Sequence, residues 1–414
     1  MPKAFTWDNS PWIVLFFFFT PYMVHVFLGP QGELITVAGL MQFPYRATQI
    51  LFGLVLLGCA LVLMRKHNLK LSGPAMFISA MLLGAYLTQL ATLVLRPDPK
   101  FNVEVFQLTV QFLISFIGFD LMARRMSFED FGRAASPLAL FFLIASAIHL
   151  QFFPIKIWDR SLFWGLHPNY GGELLAGAVM LIAFMKTPSL RWLGYALAIF
   201  CLIQVQARGA LLAVLVVIGG VEMWGQRGLG PRLIAIGAAG AVAACLLLLF
   251  SPQTLDRATD FVANKIFMAN NPLRGMGSGF VGRDETWAVA LQDMTATPLT
   301  GRGMQQSGKT LLGLPIHNGY LKNFAEFGLI FGLALNMMLV VGTIWAFRQD
   351  RRLGFVMLAC HIEYFFAPRN VNLSAFPLLM WLGVLPWKAP ATAAESAKAK
   401  PAATAHPAMR PATR

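Results

Sequence analysis

Residues 190–224 read LRWLGYALAIFCLIQVQARGALLAVLVVIGGVEMW. Two apolar runs, 190–206 and 209–224, meet at Gln206-Ala207-Arg208-Gly209 with almost no loop. A bilayer core of ~30 Å needs ~20 apolar residues per helix. Each run is therefore a short span, and the pair is a tight helical hairpin. The rest of the chain has the same character. Of its 414 residues, 57% are hydrophobic and 13% charged, against ~45–50% and ~25% in soluble domains. So few charges cannot cover a water-exposed surface. The chain reads as an all-α polytopic membrane protein whose solvent is mostly the lipid bilayer.

About twelve such runs centre on 11–28, 46–64, 74–95, 103–122, 135–152, 169–185, 190–206, 209–224, 232–250, 318–347, 353–366 and 372–387. The run 318–347 is long enough to tilt or to extend beyond the bilayer. Trp12 to Leu28 lacks a small-residue cleavage site and reads as a retained span. Glu33 to Pro44 reads as a re-entrant or interfacial piece. Alternate connections are basic: Arg65-Lys66, Arg124-Arg125 with Arg133, Lys186 with Arg191, Arg227 with Arg232, and Arg348 with Arg351-Arg352. The positive-inside rule puts these, and both chain ends, in the cytoplasm. The net charge of +14 belongs to these flanks, and no nucleic acid partner is expected. The expected organisation is nine spans in 1–250, one large partly helical periplasmic loop in 251–316, three spans in 317–388 and a disordered Ala/Pro/Lys-rich tail in 389–414.

The long loop has internal pattern. Leu255, Ala258, Val262 and Ile266 recur at helical spacing, so 253–268 reads as an amphipathic helix. Gly275, Gly277, Gly279 and Gly282 mark a linker. Asp284 caps a second helix, with Trp287, Leu291 and Met294 on one face and Pro298 and Gly301 at its end.

The sequence has no P-loop, no dinucleotide fingerprint, no HExxH and no paired-Asp metal motif. Cys59, Cys201, Cys245 and Cys360 sit in apolar runs without a pairing pattern. No cofactor and no metal are expected, so the substrate itself must carry the energy of reaction. Arg208, between two spans, is costly at that depth unless paired. Glu173 is a better candidate partner than Glu222. The plainer reading is an arginine snorkelling to headgroups; the functional one is a phosphate ligand, since the planar guanidinium grips phosphate oxygens in pairs. Arg283 opens the second loop helix, where free amides and an arginine make an anion site, although Asp284 and Glu285 could satisfy both. His317, in Pro315-Ile316-His317-Asn318-Gly319-Tyr320, stands at a bent membrane entry. It reads either as a hydrogen-bonded interfacial histidine or as a proton acceptor near neutral pH. His167, in His167-Pro168-Asn169-Tyr170, repeats that pattern. His25, His149 and His361 lie within spans and read as structural. Two guanidiniums and a histidine on one face suggest group transfer from a lipid-linked diphosphate.

These residues resemble the O-antigen ligase family, within the wider group of O-antigen ligases, O-antigen polymerases and protein O-oligosaccharyltransferases. The likeness is carried by His167-Pro168-Asn169-Tyr170, Gln206-Ala207-Arg208-Gly209, Gly282-Arg283-Asp284-Glu285-Thr286-Trp287, Pro298-Leu299-Thr300-Gly301-Arg302-Gly303, and His317-Asn318-Gly319-Tyr320 with Glu326-Phe327-Gly328. It covers about 160 to 365. The resemblance implies about twelve spans, a large periplasmic loop and a multi-pass place in the bacterial inner membrane. It implies glycan transfer from undecaprenyl diphosphate to a sugar of lipid A–core, without nucleotide or metal. It gives catalytic roles to Arg208, Arg283 and His317. Arg302, Asn318, Tyr320 and Asn169 are expected to contact substrate. An O-antigen polymerase, a protein O-oligosaccharyltransferase and a non-enzymatic lipid-linked glycan flippase are the alternatives.

Overall fold

The computed structural model describes residues 72–95, 120, 123–124, 126–152, 156–157, 160–161, 168–223, 260, 283–302, 316–366 and 383–388. The runs 11–28, 46–64, 103–122 and 232–250, most of 372–387, the stretch 253–268, the glycines of 275–282, His167 and the tail lie outside them, single residues apart.

The other apolar runs are helices: α1 (Gly73–Leu95), α2 (Phe128–Phe152), α3 (Pro168–Ile182), α4 (Pro188–Val205), α5 (Arg208–Ile218), α7 (Gly319–Gln349) and α8 (Arg351–Phe366). Of these, α2, α4 and α7 are long and apolar enough to cross a membrane. The loop helix expected after Arg283 is α6 (Arg283–Ala296). A two-residue hairpin, β1 (Lys156–Ile157) with β2 (Arg160–Ser161), lies between α2 and α3.

Helix α3 forms the centre, with residues 171–185 buried throughout. In lipid, helices associate through close packing rather than the hydrophobic effect, so small residues sit where backbones approach. Gly132 of α2 faces Phe184, Gly194 of α4 faces Ile182, and Gly172 of α3 faces Ala207 and Ala210. The lipid side is equally plain on α7, where Ile330, Leu333, Met337, Val341 and Ile344 are exposed at helical spacing.

The two ends of the bundle differ. At one end the described basic connections meet. Arg352 pairs with Glu129 at 2.8 Å and with Asp350 at 3.1 Å, and lies over the Phe184 ring. Arg133 binds Glu129. Arg191 grips Glu222 at 2.5 and 2.8 Å, and Tyr195 donates to the same carboxylate at 3.0 Å. Glu222 is thereby committed far from Arg208. Trp387 packs on Phe128 and Phe131, and the Lys388 amide donates to Ala123 O at 2.8 Å.

The run 318–347 is not one straight span. Gly328 has φ 73° and ψ −178°, and the helix reverses there. Asn336 Nδ2 donates to Tyr320 O at 3.2 Å, and Asn323 Nδ2 to Asn336 Oδ1 at 2.6 Å. A continuous helix would hold Tyr320 and Asn336 ~24 Å apart. So 319–327 is a short re-entrant helix, α7a, folded back on the membrane helix 329–349, α7b. The latter is about 30 Å long, enough for one crossing. In an unbroken helix the Leu329 amide would donate to Ala325 O. Here Leu329 donates instead to Pro298 O at 2.7 Å, and Ala325 O accepts from the Arg302 amide at 2.7 Å. The loop segment 298–302 fills the break.

Helix α6 also departs from its expected face. Among its described residues Thr286 and Ala290 are the buried positions, while Leu291 is 51% exposed. Ala290 packs with Ile316 and Ala325; a helix lying on another at close range wants its small side chain there, which displaces the larger Leu291 outward. Asp284 lies inside the first turn rather than before it.

Gly328→Ala should destabilise the protein by more than ~1 kcal/mol, because an L side chain resists this φ and its Cβ would meet the Leu299 carbonyl. A lower midpoint in thermal unfolding of the detergent-solubilised protein is the expected result.

Candidate active site

The other end of the bundle is organised around the last turn of α8. Gln206, in the left-handed region at φ 55° and ψ 40°, ends α4 and returns its amide to Ile203 O and Leu202 O. Two residues therefore suffice to reverse the chain, and Arg208 becomes the first residue of α5, half-buried. Gly209 lies against Phe366 of α8, and Ala207 against Gly172 in the first turns of α3. Asn169 stands one turn before Gly172.

Trp287 of α6 meets Phe365 edge-on, with centroids 5.5 Å apart. Arg283, the first residue of α6, precedes Trp287 by about 6 Å of helix. On α7a, Gly319 lies against the Tyr364 ring, and Tyr320 packs edge-on to Tyr364 at 5.1 Å. Asn318 caps α7a, accepting from the Tyr320 and Leu321 amides at 2.9 and 3.1 Å. His317, half-buried, is the residue before that cap.

Residues 208, 283, 317, 318, 320 and 169 thus all belong to segments that touch residues 364–366 of α8 or the turn beside it. Helices α3, α5, α6 and α7a all begin there. Helix N-termini present free amides and positive dipole ends, which favour anions. Arg302 is set apart: its backbone is tied to Ala325, about 9 Å along α7a from Gly319. Among the described residues no group of three or more His, Cys, Asp or Glu is arranged to hold a metal ion.

Beneath α7a runs a polar lattice that reading 318–347 as a single run does not reveal. Tyr364 donates to Asn323 Oδ1 at 2.8 Å, and Asn323 continues to Asn336 and on to Tyr320 O. Tyr320 OH reaches His361 Nδ1. Lys322 pairs with Glu326 at 3.8 Å, both buried. The signal in the sequence is two asparagines inside an apolar run, which a lipid-facing helix would not carry.

Residues 193–337 match a family model described as O-antigen ligase. The match spans the Arg208 turn, α6 and the re-entrant hairpin, and it supports the O-antigen ligase family. Together with the apolar helices, it identifies a membrane protein with a ligase- or polymerase-type function in the transfer of lipid-linked glycans. Among curated proteins none matches the chain.

Asn323→Leu should lower stability by about 1–3 kcal/mol for each buried partner left unpaired. Adding Asn336→Leu should cost less than the sum of the two single changes, as read from thermal unfolding midpoints in detergent.

Proposed function

We propose that the protein is an O-antigen ligase of the bacterial inner membrane. It transfers glycan from undecaprenyl diphosphate to a sugar of lipid A–core at the periplasmic face. The observation that carries this reading is the convergence near residues 364–366 of the four segments that begin α3, α5, α6 and α7a, to which Arg208, Arg283 and His317 belong. An end rich in helix-terminal amide donors, with two arginines at helix starts, suits a diphosphate. The clustering of basic connections at the other end supports the sidedness, since that end belongs in the cytoplasm.

The reaction is a direct displacement at the anomeric carbon. The acceptor hydroxyl oxygen forms the new bond to that carbon. The bond from carbon to the diphosphate oxygen breaks, and its electron pair leaves with the diphosphate. Arg208 and Arg283 hold the diphosphate and stabilise its growing charge. His317 orients the acceptor hydroxyl and takes its proton. Holding both lipids at one end of the bundle supplies proximity. Asn169 shares that end and contacts substrate. Arg302, further out on the hairpin, contacts the glycan. Asn318 and Tyr320 shape the turn that presents His317.

The test is a reconstituted transfer assay with an undecaprenyl-diphosphate-linked glycan, O-antigen-free lipopolysaccharide and EDTA, without nucleotide. Wild type should load the lipid A–core. Arg208→Ala, Arg283→Ala and His317→Ala should each lose on the order of 10²-fold or more. Arg208→Lys should also fail, because a point charge lacks paired donors. Glycan appearing only on a second lipid-linked glycan, or only on a protein, would replace the ligase by a polymerase or a protein oligosaccharyltransferase.

A further inference from the structure

We propose that His361 is a positioning residue for the transfer reaction, acting through Tyr320 on the turn that carries His317. The inference rests on the reading that His317 handles the acceptor hydroxyl.

Proton counting fixes the direction of the bonds. Thr343 Oγ1 donates its one proton to Leu339 O at 3.1 Å. With that proton so placed, its lone pairs accept from His361 Nε2, 2.5 Å away. Leu339 O, 3.2 Å from the same nitrogen, is a carbonyl and can only accept. Nε2 therefore carries a proton. A second proton on the ring would place a cation in a membrane helix with no carboxylate among its hydrogen-bond partners in the described residues. The ring is thus neutral, Nδ1 is an acceptor, and Tyr320 OH must donate to it.

Tyr320 is consequently tied at three points. Its amide goes to Asn318 Oδ1, its carbonyl to Asn336 Nδ2 and its hydroxyl to His361. Its ring also lies parallel to that of His361, with 4° between the planes. The chain of bonds ends on the Leu339 carbonyl, which has no proton to pass on. It is an anchor, not a relay. It pins the start of α7a to α7b and α8, and so sets the height of His317, the residue beside the Asn318 cap.

The experiment compares wild type, His317→Ala, His361→Leu, His361→Asn, Tyr320→Phe and the Tyr320→Phe/His361→Leu double variant in proteoliposomes with both lipid substrates. Asparagine restores an acceptor near the Nδ1 position. His361→Leu and Tyr320→Phe should each lower kcat about ten- to a hundredfold, with donor KM unchanged within about twofold. His361→Asn should recover most of the loss. The double variant should be no worse than the poorer single one, since both remove one bond. Tyr320→Phe keeps the stacked ring and decides the matter if His361→Leu does not fold. Nitrogen-15 NMR should find Nδ1 unprotonated. Near-normal kcat in both singles beside an inactive His317→Ala, multiplying losses in the double variant, or a proton on Nδ1 would each overturn the anchor and leave the ligase reading intact. An active His317→Ala would overturn both.

Discussion

A helix that reverses inside an apolar solvent exposes backbone groups that lipid cannot satisfy. At Gly328 this protein opens the helical bond from Leu329 to Ala325, and both groups find partners in the loop, Leu329 at Pro298 O and Ala325 at the Arg302 amide. The positive φ of Gly328 makes the reversal, and Gly301, also at positive φ, lets the loop backbone come close enough to fill it. The site depends on this exchange. Without it, 319–349 would be a single rod. His317 would stand at its far tip, well beyond the end of α8. With it, α7a folds down beside α7b and returns His317 to the level of residues 364–366.

The same exchange couples the loop to the bundle. Residues 298–302 are held in the break, so α6, which precedes them, lies along α7a with Ala290 against Ala325. Arg283 at the start of α6 is carried to the end of α8 by that packing. Arg208 reaches it from the opposite direction, through a two-residue turn that only the left-handed Gln206 makes possible. Three separate stretches of chain therefore deliver helix N-termini to one place, a fourth coming from α3. The two ends of the bundle then have opposite chemistry. At the basic end cations are neutralised by Glu129, Asp350 and Glu222. At the other end helix starts converge, and helix starts favour anions.

Much of this was legible in the sequence. Among the described residues the apolar runs are helices, 318–347 in two parts, because lipid demands length and composition and little else. Arg208 and His317 are conspicuous as a charge and a titratable ring beside apolar runs, and Arg283 as an arginine at the start of a loop helix; the structure puts the segments that carry them near residues 364–366. The face of α6 is not legible in the sequence, since hydrophobicity alone selects Leu291 whereas close helix contact selects Ala290. His361 read as a structural residue of a span, and nothing in its neighbours reveals that Tyr320, 41 positions away, donates to it.

By itself the sequence determined that the chain is a membrane protein, and that a two-residue turn joins the runs on either side of Ala207 and Arg208. Those are local quantities, summed over a window of residues or read at one position. Only the tertiary structure decided that 318–347 is a hairpin, that Arg302 stands apart from the other site residues, and that Tyr320 answers to His361. Each of these depends on a partner distant in sequence: Gly328 can reverse the helix only because residues 298–302 accept what the reversal exposes.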